Sequence, residues 1–205
     1  VRHAILQGWI RPAAETAPPG VVLKTDLFDE ASGPHHHGRY LPENSLFVGV
    51  DLDPGVVRQA HDRLRSEGRP SLCLVADVRR IPLAGSSVPI VISLSTLDHF
   101  SSVSEIDASL RELRRVLDAR GCLLLTLDNP SNPEVALRRV LPRGLVRRLR
   151  ADTFPLGETL PAAAGSDALR AAGFQVGSVR FLVHAIRYPT IRLLAWLDRF
   201  LPSLV

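Results

Sequence analysis

The stretch Ser45-Leu46-Phe47-Val48-Gly49-Val50-Asp51-Leu52-Asp53-Pro54 decides the fold. A short, nearly uninterrupted apolar run ends on an aspartate, as in a strand buried on both faces of a parallel sheet. Asp53 can cap a following helix, and Pro54 suits its first position. Val57, Ala60 and Leu64 then share one apolar face, and Gly68 can end the helix. A strand passing directly into an amphipathic helix is half of a βαβ unit.

The same alternation extends in both directions. Val21-Val22-Leu23 reads as an earlier strand after the loop Pro18-Pro19-Gly20. Leu72 to Ala76 is a third strand ending at Asp77, and Pro89 to Leu94 a fourth, apolar on both faces. Ser102 or Ser104 can cap the next helix, with Val103, Ile106, Leu110, Leu113 and Leu117 at helical spacing. Gly121 then leads into a fifth strand, Cys122 to Leu127. The pattern predicts an α/β fold: a Rossmann-like three-layer sandwich around a mostly parallel sheet. Past Asn129 it changes. Residues 132–150 read as basic helix broken at Pro142 and Gly144, Ser166 to Ala172 as a short helix, and Phe174 to Arg187 as β-like, an antiparallel C-terminal edge. Residues 190–201 read as a terminal amphipathic helix.

With 205 residues, 45% of them hydrophobic, the whole of 1–205 is expected to be one domain with one good-sized core. No apolar run approaches the roughly 18 to 20 residues of a membrane-spanning helix. Val1 to Trp9 does not read as a signal peptide. Cys73 and Cys122 both lie in apolar runs and make no disulfide framework, so a cytoplasmic location is expected. The net charge of +4 comes almost wholly from arginine, since Lys24 is the sole lysine. Arg138, Arg139, Arg143, Arg147, Arg148 and Arg150 cluster, but no aromatic interleaving accompanies them. Nucleic acid is therefore not the expected partner.

Ligands of open parallel sheets bind beyond the carboxyl ends of the strands, where strand order reverses. Asp51 and Asp77 close two successive strands there. Asp51 can accept both ribose hydroxyls of a nucleoside, and Asp77 an exocyclic amine such as the adenine N6. Each can equally cap the next helix.

Three segments resemble, in order, the successive motifs of class I S-adenosylmethionine (SAM)-dependent methyltransferases, of the type 11 kind. They are Val48-Gly49-Val50-Asp51-Leu52-Asp53-Pro54, Ala76-Asp77-Val78 through Leu83, and Val91-Ile92-Ser93-Leu94 through Phe100. Leu113 to Leu127 and Ala172-Gly173-Phe174 continue the series. The resemblance implies SAM as cofactor, with Asp51 and Leu52 at the ribose, Asp77 and Val78 at the adenine, and Ser93 with Leu94 near the reacting sulfonium. Where the family carries a glycine-rich turn, this chain has Lys24-Thr25-Asp26-Leu27-Phe28-Asp29-Glu30-Ala31-Ser32-Gly33. Asp26 falls near the first glycine position, and only Gly33 remains. Asp26, Asp29 and Glu30 can hold the cofactor's ammonium group or simply begin a surface helix.

The resemblance implies methyl transfer to a small-molecule or lipid-linked acceptor, with 132–165 as an insertion covering the substrate. The altered loop leaves an alternative, a catalytically inactive member of the fold acting as a binding or scaffold subunit. His99 can act as a general base or merely start a helix. His35-His36-His37 lack a separate further ligand, so no metal is expected. The terminal helix can dock on the core, on a partner or on a membrane surface.

Overall fold

The computed structural model describes residues 8–13, 15, 20–33, 41, 45–130 and 157–181. Five strands form one parallel sheet: β1 (Val21–Lys24), β2 (Leu46–Asp51), β3 (Ser71–Val75), β4 (Val88–Leu94) and β5 (Leu117–Thr126). Their spatial order is β3-β2-β1-β4-β5, so the order reverses between β1 and β4. Helices α1 (Phe28–Ser32), α2 (Pro54–Ser66), α3 (Val103–Val116) and α4 (Ala162–Ala171) accompany them, with a short 3-10 turn at Leu97–His99 and further helical backbone at 8–13.

Strand alternation sorts the core into two layers. Val22, Phe47, Ile90 and Ile92 point to one face, where Val57, Ala60 and Leu64 of α2 meet them. Leu23, Val48, Val50 and Val91 point to the other, against Ile106, Leu110, Leu113 and Val116 of α3. Period 2 in the strands thus meets the helical period of the covering elements, giving the expected three layers. The partly buried Ala168 and Leu169 bring α4 to the second layer.

Local chemistry sets the helix ends. The Asp53 Oδ1 accepts from the Gly55 and Val56 amides at 2.7 and 3.3 Å, capping α2 with Pro54 behind it. Gly68, at φ +70°, takes the left-handed conformation just past its end. Ser102 caps α3 by accepting from the Glu105 amide, while Glu105 Oε2 accepts in return from the Ser101 amide and the Ser102 hydroxyl.

Two expectations need correction. Leu117 does not close α3 but opens β5, and Gly121 lies inside that strand. Val88 pairs with Leu117 and Ile90 with Cys122, so 118–121 bulge out between the two pairings. A Cβ at Gly121 would stand 2.8 Å from the Pro89 carbonyl oxygen, which explains the glycine. Of the antiparallel C-terminal edge, the described residues 174–181 show no strand, and Val179 and Phe181 are exposed. The remainder, to Arg187, lies outside the described residues, as do most of 132–165, His35–His37 and the helix expected at 190–201. Among the described residues no helix is long and apolar enough to cross a membrane.

The cap at Asp53 gives a direct check of this layer. Asp53→Ala should lower stability by about 1 kcal/mol, read from the urea midpoint at unchanged slope. An unchanged midpoint would show that the side chain does not cap α2.

Candidate functional site

The carboxyl ends of β1 and β4 meet where the strand order reverses. Thr25, just past β1, donates its amide to the Ile92 carbonyl, tying the two strand ends together. Its hydroxyl donates to Ser93 Oγ at 2.9 Å and lies 2.9 Å from Thr96 Oγ1. Ser93 is completely buried, so its hydroxyl serves this three-member network rather than an open surface. Ser95 follows at φ +53°, a left-handed conformation unusual outside glycine, with its amide on Thr126 Oγ1 at 3.0 Å. The hydroxyl-rich seam thus fixes the turn that leads into Leu97–His99.

Lys24, at the end of β1, is 1% exposed, and its Nζ lies 2.7 Å from Oε2 of the fully buried Glu30 on α1. The ammonium also donates to the Asp26 carbonyl. Burial alone would drive Lys24 toward its neutral form, but Glu30, with Asp26 and Asp29, outweighs burial and holds it charged. Behind α1, Arg63 donates to the Glu30 and Gly33 carbonyls at 3.3 and 2.7 Å. Gly33 therefore closes α1 at the end away from Asp26. A Cβ there would fall 2.7 Å from the Asp29 carbonyl oxygen. Its glycine serves the helix end.

Asp51 holds the loop from the other side. Its Oδ2 accepts the Leu27 amide at 3.0 Å, and its Oδ1 the Asp53 amide at 2.9 Å. Leu27 is fully buried over Gly49; a Cβ on Gly49 would stand 2.2 Å from Leu27 Cδ2. The glycine of β2 thus makes room for a side chain of the loop. Asp26 accepts the Phe28 amide at 2.9 Å, and burial pushes its carboxyl up against the pull of Lys24. Leu52 beside Asp51 is 62% exposed, an apolar surface at the strand end.

Asp77 stands two residues past the end of β3, and it has a partner that sequence reading missed. Arg79 Nε reaches both carboxylate oxygens at 3.0 Å, and its Nη2 reaches Oδ2 at 2.6 Å. This contact holds the Asp77 carboxyl below its ordinary range. Arg79 continues to Glu105 at 2.7 Å and lies over the Phe100 ring at 5.2 Å. The i, i+2 spacing of Asp77 and Arg79 was the available signal. Val78 is buried in the second layer.

Beyond β4 and β5 stands Asp98, 4% exposed. Its Oδ2 accepts the Asp128 amide at 3.2 Å. The Gly157 amide donates to the Asp98 carbonyl at 3.0 Å, and the Glu158 amide donates to the Phe100 carbonyl. The end of the expected substrate-covering segment thus lies directly on this turn. Burial, with the Asp128 charge beside it and His99 opposing, pushes the Asp98 carboxyl up to about 6. Among the described residues, no cluster of three or more metal-ligating side chains occurs.

The geometry is that of an open parallel sheet whose strand order reverses between β1 and β4, and known proteins share it. Residues 29–125, just under half of the chain, match the family model described as "Methyltransferase domain". That stretch is thus similar to a methyltransferase domain, and the sheet around it has the fold of class I SAM-dependent methyltransferases. Among solved structures it is similar to the YcgJ protein of Bacillus subtilis, with a TM-score of 0.63 and 20% identity, over 83% of this chain and 68% of that one. It is also similar to a SAM-dependent methyltransferase from Aquifex aeolicus, with a TM-score of 0.54 and 20% identity, over 77% and 73%. A third is a geranyl diphosphate C-methyltransferase from Streptomyces coelicolor, solved with S-adenosylhomocysteine. There the TM-score is 0.58 and identity 14%, over 82% of this chain and 56% of that one. No curated protein matches the chain in sequence.

Two outcomes check the electrostatics. Lys24→Met should cost about 3–5 kcal/mol, because it takes the ammonium away from the buried Glu30 carboxylate, whereas Lys24→Met combined with Glu30→Met should recover most of that loss. Denaturant titrations of both single variants and the double measure this coupling directly. Additive losses would mean the pair is not coupled.

Asp98 gives a pH signature. Its native carboxyl is raised from the ordinary 3.8 to about 6, so the native state binds more protons than the unfolded chain between those values. Stability from this group therefore falls as pH rises through that window, by about 3 kcal/mol in all. The stability difference between wild type and Asp98→Asn should change by that order from pH 4 to 7. Parallel curves would contradict the shift.

Proposed function

We propose that this chain binds SAM at the β1/β4 switch point and transfers its methyl group to a small-molecule or lipid-linked acceptor. The observation carrying this reading is Asp51: a strand-end carboxylate whose oxygens each accept one backbone amide and keep a lone pair each. Those lone pairs suit the two hydroxyl donors of a ribose. The residues fit the cofactor in other respects. Exposed Leu52 offers apolar surface next to that carboxylate, and Asp26 stands close enough to Asp51 for their charges to interact.

SAM, when bound, supplies a methyl group already activated on a sulfonium. The chain's own task is then to position the acceptor and exclude water, which supplies much of the rate in a direct displacement. The Thr25–Ser93–Thr96 network fixes the strand ends on which that alignment depends. Asp77 is engaged by Arg79, so an adenine amine would share its carboxylate with the guanidinium.

Calorimetric titration with SAM and with S-adenosylhomocysteine tests the reading. Saturable micromolar binding is expected, and Asp51→Ala should weaken it at least tenfold, about 1.4 kcal/mol or more. A folded full chain that binds neither compound would overturn it in favour of a non-catalytic binding or scaffold subunit.

A further inference from the structure

Asp98 Oδ1 is inaccessible to solvent and has no hydrogen-bond partner among the described residues. Its sister oxygen holds the Asp128 amide, and no ion pair reaches either oxygen among the described residues. A carboxylate in this condition is costly, because the backbone hydrogen bonds at Asp98 and Asp128 do not offset its desolvation. Asp128 adds a second carboxyl nearby and worsens the repulsion. His99, the next residue, opposes it only in part.

The position of the defect is informative. Asp98 and Asp128 lie just past the carboxyl ends of adjacent strands β4 and β5, the side on which open parallel sheets bind ligands. The segment at Gly157 seals the turn on one side: a Cβ there would fall 2.4 Å from the Asp98 carbonyl oxygen and 2.5 Å from that of Phe100. Both obstacles are backbone, so only glycine permits this approach. Burial of Asp98 is therefore built in, and the described residues supply no donor to its Oδ1.

An ionised carboxyl accepts hydrogen bonds only. A ligand that satisfies it must bring an N–H or O–H donor, and two carboxyls together favour a donor that also carries positive charge. A divalent metal would need further protein ligands, and no such cluster occurs among the described residues. We propose that Asp98, supported by Asp128, is a binding site for an alkylammonium group, and that the acceptor of the methyl-transfer reaction presents such a nitrogen here. Only the description of this ligand as the methyl acceptor rests on the proposed function; the ammonium site stands on its own geometry.

The test uses the full chain with 13C-labelled aspartate, followed by NMR at neutral pH, with and without S-adenosylhomocysteine. Propylammonium chloride is the probe and 1-propanol its uncharged counterpart. Propylammonium should shift the Asp98 carboxyl resonance saturably, with propanol at least tenfold weaker. Asp98→Asn, shown to be folded by a cooperative melt, should lose propylammonium binding at least tenfold, and Asp128→Asn should weaken it by a smaller factor.

Equal response to the two probes, no response at Asp98, or undiminished binding in Asp98→Asn would overturn the proposal. Propylammonium binding in a protein that ignores S-adenosylhomocysteine would uphold the ammonium site while removing the cofactor reading. The reverse result would do the opposite.

Discussion

The ion pair between Lys24 and Glu30 is the constraint on which the site depends. An ammonium and a carboxylate without solvent contact carry a desolvation cost of several kcal/mol each, and close pairing with further hydrogen bonds is what offsets it. Those further bonds bind the loop: Lys24 to the Asp26 carbonyl, and Arg63 to the carbonyls of Glu30 and Gly33. Moving α1 would expose or separate the pair. In a chain whose other cationic side chains of this kind are all arginine, the single lysine stands at the end of the central strand. A compact ammonium on a flexible stem can be enclosed there, where a planar guanidinium needs acceptors around its whole edge.

This arrangement replaces the flexibility of a glycine-rich turn with electrostatic anchorage. Asp51 takes the Leu27 amide while Leu27 fills the space above Gly49, so loop and second strand are fastened by one polar and one apolar contact. The same carboxylate then faces the switch point with acceptor capacity remaining. The hydroxyls of Thr25, Ser93 and Thr96 join the two central strand ends, and the left-handed Ser95 turns the chain toward Asp98. Loop, seam and buried carboxyl thus form a connected set across the carboxyl ends of β2, β1, β4 and β5.

Much of the fold was legible because burial on a parallel sheet leaves strong local marks. Apolar runs ending on aspartate gave the strands, and Asp53-Pro54 and Ser102 gave helix starts that the caps confirm. The start of β5 was not legible, since Leu117 continues the helical spacing of α3 and only its pairing with Val88 makes it strand. The site was legible as positions more than as partners. Asp51, Asp77 and Ser93 stand at strand ends as read, but the hold of Arg79 on Asp77 and the internal hydrogen bond of Ser93 depend on side-chain directions that periodicity does not carry. The close approach of Gly33 to the Asp29 backbone at its own helix end was not legible either, since it depends on how α1 closes. Asp98 escaped notice because its sequence neighbours mark a helix start; its burial comes from Asp128 and Gly157, distant in the chain.

A crystal structure grown with S-adenosylhomocysteine tests the central claim most directly. The ribose hydroxyls are expected within hydrogen-bond distance of Asp51, with the Leu27 amide still on that carboxylate and Lys24 still enclosed with Glu30. A nucleoside bound elsewhere, or a loop that abandons the Lys24–Glu30 pair to admit it, would contradict the account.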